Sequence, residues 1–245
     1  MLFGKQKKEV LMTMKNGSMR KRIVNAMIAD VDAMPGRAGE TPISCLANML
    51  SKLKDSHARK ATEAITGLVN GPPSPLPVTN PEKFWRDICF LANYPKGDRS
   101  SIKEAFFARL FGPTSLDRDL RSIALMGYLE SGGMLTESHL RALWFIRDET
   151  PILWLGAAVS SGFFVLAKRE TLRLLKEGKV WSKIGDRRVE ALIISLDSWK
   201  KSWPSDENFF DIVKEFHNAA PDLETKEKLR KWADNRKVSL ASVRV

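Results

Sequence analysis

Cysteine and histidine are scarce in this chain. Its 245 residues hold two cysteines, Cys45 and Cys89, and three histidines, His57, His139 and His217. Neither cysteine has a second one two residues away, and so few histidines argue against a structural zinc site. The stretch MLFGKQKKEVLMTMKNGSMRKR lacks the apolar run and small-residue cleavage site of a secretory leader. Two reduced thiols in a cytosolic or nuclear compartment are therefore expected rather than a disulfide. Glycine stands at position 4, not at position 2 where myristoylation requires it.

Long apolar runs are also lacking. The longest, Ile152 to Ala167, is interrupted by Gly156, Ser160, Ser161 and Gly162. At about 1.5 Å per residue it falls short of a hydrocarbon layer roughly 30 Å thick. A buried helix is expected there, with a membrane-facing segment as the alternative. Almost no stretch alternates apolar and polar residues, which argues against exposed strands. The motifs of catalysis are missing too: no GxxxxGK[ST], no GxGxxG after a strand, no HExxH and no EF-hand loop. His57 lies beside Arg59 and Lys60, His139 at a helix start, and His217 at a helix end where a positive charge suits the dipole. Each reads as a surface or capping residue. Asp117/Asp119 and Asp148/Glu149 are spaced i,i+2 and i,i+1, so neither pair shares a helical face. Gly127 and Gly132-Gly133 read as close-packing or helix-end glycines. No enzymatic activity and no cofactor are expected.

What the chain has is helix punctuation and positive charge. Thr41-Pro42 and Asn80-Pro81 are cap-plus-proline starts. Ser101 with Glu104 reads as a capping box, stopped by Gly112-Pro113, and Thr114 with Asp117 opens the next helix. Thr136 caps a helix through Ile146, and Pro151 starts a helix that ends near Gly178. Further helices are expected over 187–202, 206–218 and 222–237. The hydrophobic fraction of 43% is ample for a core. The fold expected is all-α, a bundle of about nine to ten helices, with two helical lobes as one arrangement of it. Residues 1–24 read as a basic and apolar arm, 25–71 as an N-terminal helical region, 72–81 as a Pro-rich linker and 82–245 as a larger helical region. The segment NGPPSPLPVTNP suits either a semi-rigid connector or a loop strapped across one surface.

Lysine and arginine number 40 against 29 acids, a net of +11. Residues 1–24 carry Lys5, Lys7, Lys8, Lys15, Arg20, Lys21 and Arg22 against Glu9, seven against one. Residues 168–188 carry Lys168, Arg169, Arg173, Lys176, Lys179, Lys183, Arg187 and Arg188 against three acids. These excesses, +6 and +5, equal the whole net charge. Such runs release counterions from a phosphate backbone or bind anionic lipid; a solvated face is the plain alternative. Trp181 sits among the second set, either stacking on an unpaired base or filling a core.

Three segments in order resemble the middle domain of the orthomyxovirus matrix proteins: Arg59 to Gly71, the helix opening Pro81 to Arg86, and Ile123 to Glu149. Within the last, Met126-Gly127, Gly132-Gly133, Thr136-Glu137 and Leu140 to Ile146 follow that family's order. The chain departs from it in two places. Its counterpart of the Lys/Arg-rich helix holds only Lys83 and Arg86, and the Cys/His cluster is missing. The resemblance implies a shell protein lining an envelope, self-associating and bridging acidic membrane to ribonucleoprotein. Its place would be the virion and the host cytoplasm or nucleus. A nucleocapsid protein of a segmented negative-strand RNA virus is the nearest alternative, with RNA in a basic cleft and residues 1–24 docking on the next protomer. A non-viral helical adaptor is the third. All site residues in these readings are the arm cations Lys5, Lys7, Lys8, Arg20, Lys21 and Arg22 and the 168–188 set with Trp181.

Overall fold

The computed structural model of the chain describes residues 18–31, 41–78, 80–113, 115–182, 188–203, 206–236 and 240. Regular structure among them is entirely helical, in fourteen helices. The all-α expectation holds, but the count exceeds nine to ten because three runs read as single helices are broken. The run from Thr41 divides into α2 (Pro42–Lys52) and α3 (Asp55–Asn70). Leu53 and Lys54 are extended between them, and Asp55 has φ 47°. The run from Thr136 divides at Leu143 into α7 (Glu137–Ala142) and α8 (Trp144–Glu149). The run from Pro151 becomes α9 (Pro151–Ser160) and α10 (Phe164–Lys176), and α11 (Lys179–Ser182) follows its expected stop near Gly178. Gly162 at φ 84° and Gly178 at φ 68° turn the chain there, in a region that costs other residues about 1–2 kcal/mol. Apolar periodicity continues across such one-residue turns, so it does not register them.

The remaining helices are α1 (Met19–Val31), α4 (Pro81–Ala92), α5 (Ser100–Phe111), α6 (Arg118–Glu130), α12 (Arg188–Ser202), α13 (Asp206–Asn218) and α14 (Leu223–Asn235). Their starts follow local chemistry. Thr41 Oγ1 accepts from Ser44 N at 3.2 Å, and Asn80 Oδ1 accepts from Glu82 N at 2.8 Å. Thr136 Oγ1 accepts from His139 N, and Thr136 N donates to His139 Nδ1, both at 3.3 Å. A histidine thus completes the capping box in the place usually held by Glu or Gln. At α5 the expected Ser101/Glu104 box does not form. Asp98 Oδ1 instead accepts from Ser100 N at 2.8 Å and Ser100 Oγ at 2.6 Å, while Ser101 Oγ lies 3.0 Å from Thr66 Oγ1. Asp117 flanks α6 without a side-chain cap, and Thr114 lies outside the described residues.

The chain divides into two compact units between Gly133 and Met134. In the first, α1 packs on α2 and α3, α3 on α5, and α4 and α5 both on α6. Ile23, Met27, Leu50, Ile65, Phe84, Ile88 and Phe106 are fully buried in it. The expected arm of residues 1–24 therefore overlaps α1, whose Ile23 belongs to this core. The Pro-rich stretch runs between α3 and α4 inside the same unit, with Val78 buried. At its start Arg20 Nη2 donates to Gly71 O at 2.7 Å, and Arg109 donates to Val69 O and Asn70 O at 2.8 and 2.7 Å. These two guanidinium groups satisfy carbonyls left open at the C-terminal end of α3.

In the second unit α9 is central, contacting α7, α8, α10, α11 and α12, while α12, α13 and α14 pack on one another. Trp154, Leu155, Leu196, Phe209, Phe216 and Leu229 are fully buried. The apolar run at 152–167 is thus broken at Ser161-Gly162, and its α9 portion sits in the core. No described helix is long and apolar enough to cross a membrane.

Candidate polyanion interface

The cations expected at 168–188 meet acids in the fold. Lys168 Nζ lies 3.1 Å from Asn208 Oδ1 and 3.5 Å from Asp211 Oδ2, both on α13. Arg173 pairs with Glu170 at 2.9 Å and Glu177 at 2.6 Å, and Lys179 with Glu177 at 2.9 Å. Glu170, only 3% exposed, also receives Arg147 at 3.1 Å from α8. Arg147 is 8% exposed, pairs with Asp148 at 2.9 Å and stacks 3.8 Å from the Trp144 ring centroid. Burial pushes the Glu170 carboxyl up, but hydrogen bonds from Arg173 and Arg147 outweigh it and hold the group below the usual glutamate range. This network is a structural staple. Trp181 is edge-on to Phe216 at 6.2 Å, and its indole N–H is buried without a hydrogen-bond partner among the described residues. Lys183 and Arg187 lie outside the described residues, and Arg188 opens α12.

Two cations of that set are left on the surface, in company. Val165, Arg169, Leu172 and Lys176 recur at i, i+4, i+7 and i+11, which places them within about 60° on one face of α10. Val165 is 86% and Leu172 39% exposed. Arg169 touches Glu170 only at 3.5 Å, and Lys176 makes no ion pair among the described residues. The outer face of α10 therefore mixes aliphatic and cationic side chains, with Val165 and Leu172 exposed among the described residues.

In the first unit, Lys5, Lys7 and Lys8 lie outside the described residues. Arg20 caps α3 as described, Lys21 is exposed and Arg22 is half-buried. Lys83 and Arg86, the pair marked by the family resemblance, are engaged inside the unit. Lys83 bridges Asp30 and Asp87 at 2.8 and 2.9 Å, and Arg86 pairs with Glu82 at 2.5 Å.

A second basic surface escapes any count along the sequence. A cleft of about 390 Å³ is lined by Leu53, Lys54, Asp55, Arg59, Thr62, Lys96, Gly97 and Asp98. Lys54 and Arg59 flank the α2–α3 break, and the α4–α5 loop brings Lys96 to them from about forty residues away. Only part of it was legible: Lys52, Lys54, Arg59 and Lys60 crowd around His57, but nothing in the sequence joins Lys96 to them.

Cys45 and Cys89 are both free thiols. Cys89 is sealed beneath α6, its Sγ 3.1 Å from Ile123 O, and burial drives its acidity far down. Among the described residues no three His, Cys, Asp or Glu side chains gather as a metal site. No protein-family model matches the chain, no curated protein matches its sequence, and no solved structure matches its fold.

Proposed function

We propose that the protein is a structural protein of matrix type, a helical protomer that self-associates and meets acidic membrane and ribonucleoprotein through basic patches. The α10 face carries the reading. Exposed Val165 and Leu172 among Arg169 and Lys176 form a surface that adsorbs to an anionic interface, the aliphatic groups entering the headgroup region and the cations meeting phosphate. Sequestering single-stranded RNA calls for aromatic rings open to bases. Trp181, the ring placed for that role, is turned edge-on into Phe216, so the membrane side of the reading is favoured over a nucleocapsid. The segments resembling matrix proteins support the same choice.

Flotation of the full chain with phosphatidylserine-containing vesicles tests this. Retention on anionic but not zwitterionic vesicles is expected, and it should fall at least about tenfold in Val165→Ser/Leu172→Ser and in Arg169→Gln/Lys176→Gln, each removing about 2 kcal/mol of contact. A protein that ignores vesicles yet protects an RNA fragment of fixed length per protomer from ribonuclease overturns the proposal in favour of encapsidation.

A further inference from the structure

The geometry points to a binding site for a compact organic phosphate in the cleft between the α2–α3 break and the α4–α5 loop. This goes beyond the α10 surface and does not depend on it. The cleft volume of about 390 Å³ lies in the range of small-ligand pockets and exceeds what a single phosphate fills, so the ligand carries an organic body or several phosphates.

Its charge balance favours an anion. Lys54 and Lys96 make no ion pair among the described residues, and Arg59 reaches Glu63 only at 3.8 Å with both groups largely exposed. Three cations thus meet two carboxylates in the lining, and one of these, Asp98, has its Oδ1 engaged by Ser100 N and Ser100 Oγ. Those bonds hold Asp98 ionised below the usual aspartate range. Asp55 sits in the first turn of α3, where a carboxylate complements the positive end of its own helix.

Thr62 is the independent observation. It is 5% exposed, lines the cleft, and its hydroxyl makes no hydrogen bond among the described residues. A threonine in mid-helix ordinarily returns its hydroxyl to the carbonyl one turn back, as Thr171 does to Ala167 O at 2.8 Å. Thr62 does not, so its hydroxyl is left open to an acceptor that enters the cleft. A phosphate oxygen held by Lys54, Arg59 and Lys96 would accept a hydrogen bond from that hydroxyl.

Calorimetric titration of the full chain with inositol hexakisphosphate, and separately with inorganic phosphate, tests the site. One equivalent of inositol hexakisphosphate is expected to bind. Lys54→Gln and Lys96→Gln should each weaken it about tenfold, as expected for one charge-assisted hydrogen bond. Thr62→Val, isosteric with the native residue, should weaken it severalfold while leaving the melting temperature of the free protein unchanged or higher. A short-chain phosphatidylinositol bisphosphate distinguishes the sources: equal loss of its binding in the variants assigns a lipid headgroup, and its failure to bind beside a binding inositol phosphate assigns a free one. Absence of saturable binding, or affinity unchanged in Lys54→Gln and Lys96→Gln, overturns the site. Val165→Ser/Leu172→Ser should leave this titration untouched, so the two proposals fail separately.

Discussion

Glu170 shows how one residue decides what a basic segment does. It lies 3% exposed between Arg147 and Arg173 and takes both out of the pool of surface cations. Removing its charge leaves Arg147 to Asp148 alone and Arg173 to Glu177 alone, a loss of about 1–3 kcal/mol rather than that of a fully orphaned charge. Glu170→Gln should destabilise by that amount in urea unfolding at neutral pH. The pH dependence has a definite sign. The folded-state pKa of Glu170 lies below its unfolded value of about 4.3, so its contribution is complete above that pH and is lost as pH falls through the folded value. The gap between wild type and Glu170→Gln should therefore be widest at neutral pH and should narrow as pH falls below about 4.3, the unfolded value, toward the folded one. A gap that never narrows on acidification would show that the ion pairs contribute nothing.

At the scale of elements, α6 packs tightly against α4 and α5 at Gly127. A Cβ built on Gly127 would stand 2.5 Å from the Phe106 ring and 2.7 Å from Cys89 Sγ. Phe106 is fully buried and Cys89 nearly so, so neither can move without shifting a helix. Gly127→Ala should cost about 1–3 kcal/mol through overpacking, read as a lowered denaturation midpoint with an unchanged urea slope. Gly133 shows the same close packing, with a Cβ 2.4 Å from the Tyr128 ring. The sequence reading of these glycines as packing and helix-end residues agrees with these contacts. What it missed at this scale were the breaks at Leu53 to Asp55, Leu143 and Ser161 to Phe163, where apolar periodicity continues on either side of a short interruption.

For the whole molecule, each unit encloses its own core, Phe84 and Phe106 in the first and Trp154, Phe209 and Phe216 in the second. Residues 134–245 expressed alone should retain their helical circular dichroism and unfold cooperatively on heating; a gradual, sloping melt would show that the second unit needs the first. The division at Gly133 carries no composition signal, since Gly132-Gly133 resembles any other helix stop in the chain. The Pro-rich stretch, the most conspicuous break in the sequence, lies inside one unit because its prolines prevent helix without preventing Val78 from being buried.

The sequence by itself determined the all-helical class, the starts at Thr41, Asn80 and Thr136, and the fate of the 151–160 run. Those depend on residues three or four apart, or on apolar content long enough for a core and too short for a bilayer. Only the tertiary structure decided which cations remain available. Lys168 meets Asp211, Arg147 meets Glu170, and Lys96 joins Lys54 and Arg59, in each case across elements distant in the chain. A charge count along the sequence adds these groups as equals. Coulomb attraction at a few ångströms neutralises some and leaves others facing solvent, so the partners brought close by folding, and not the run of charges, define the surface.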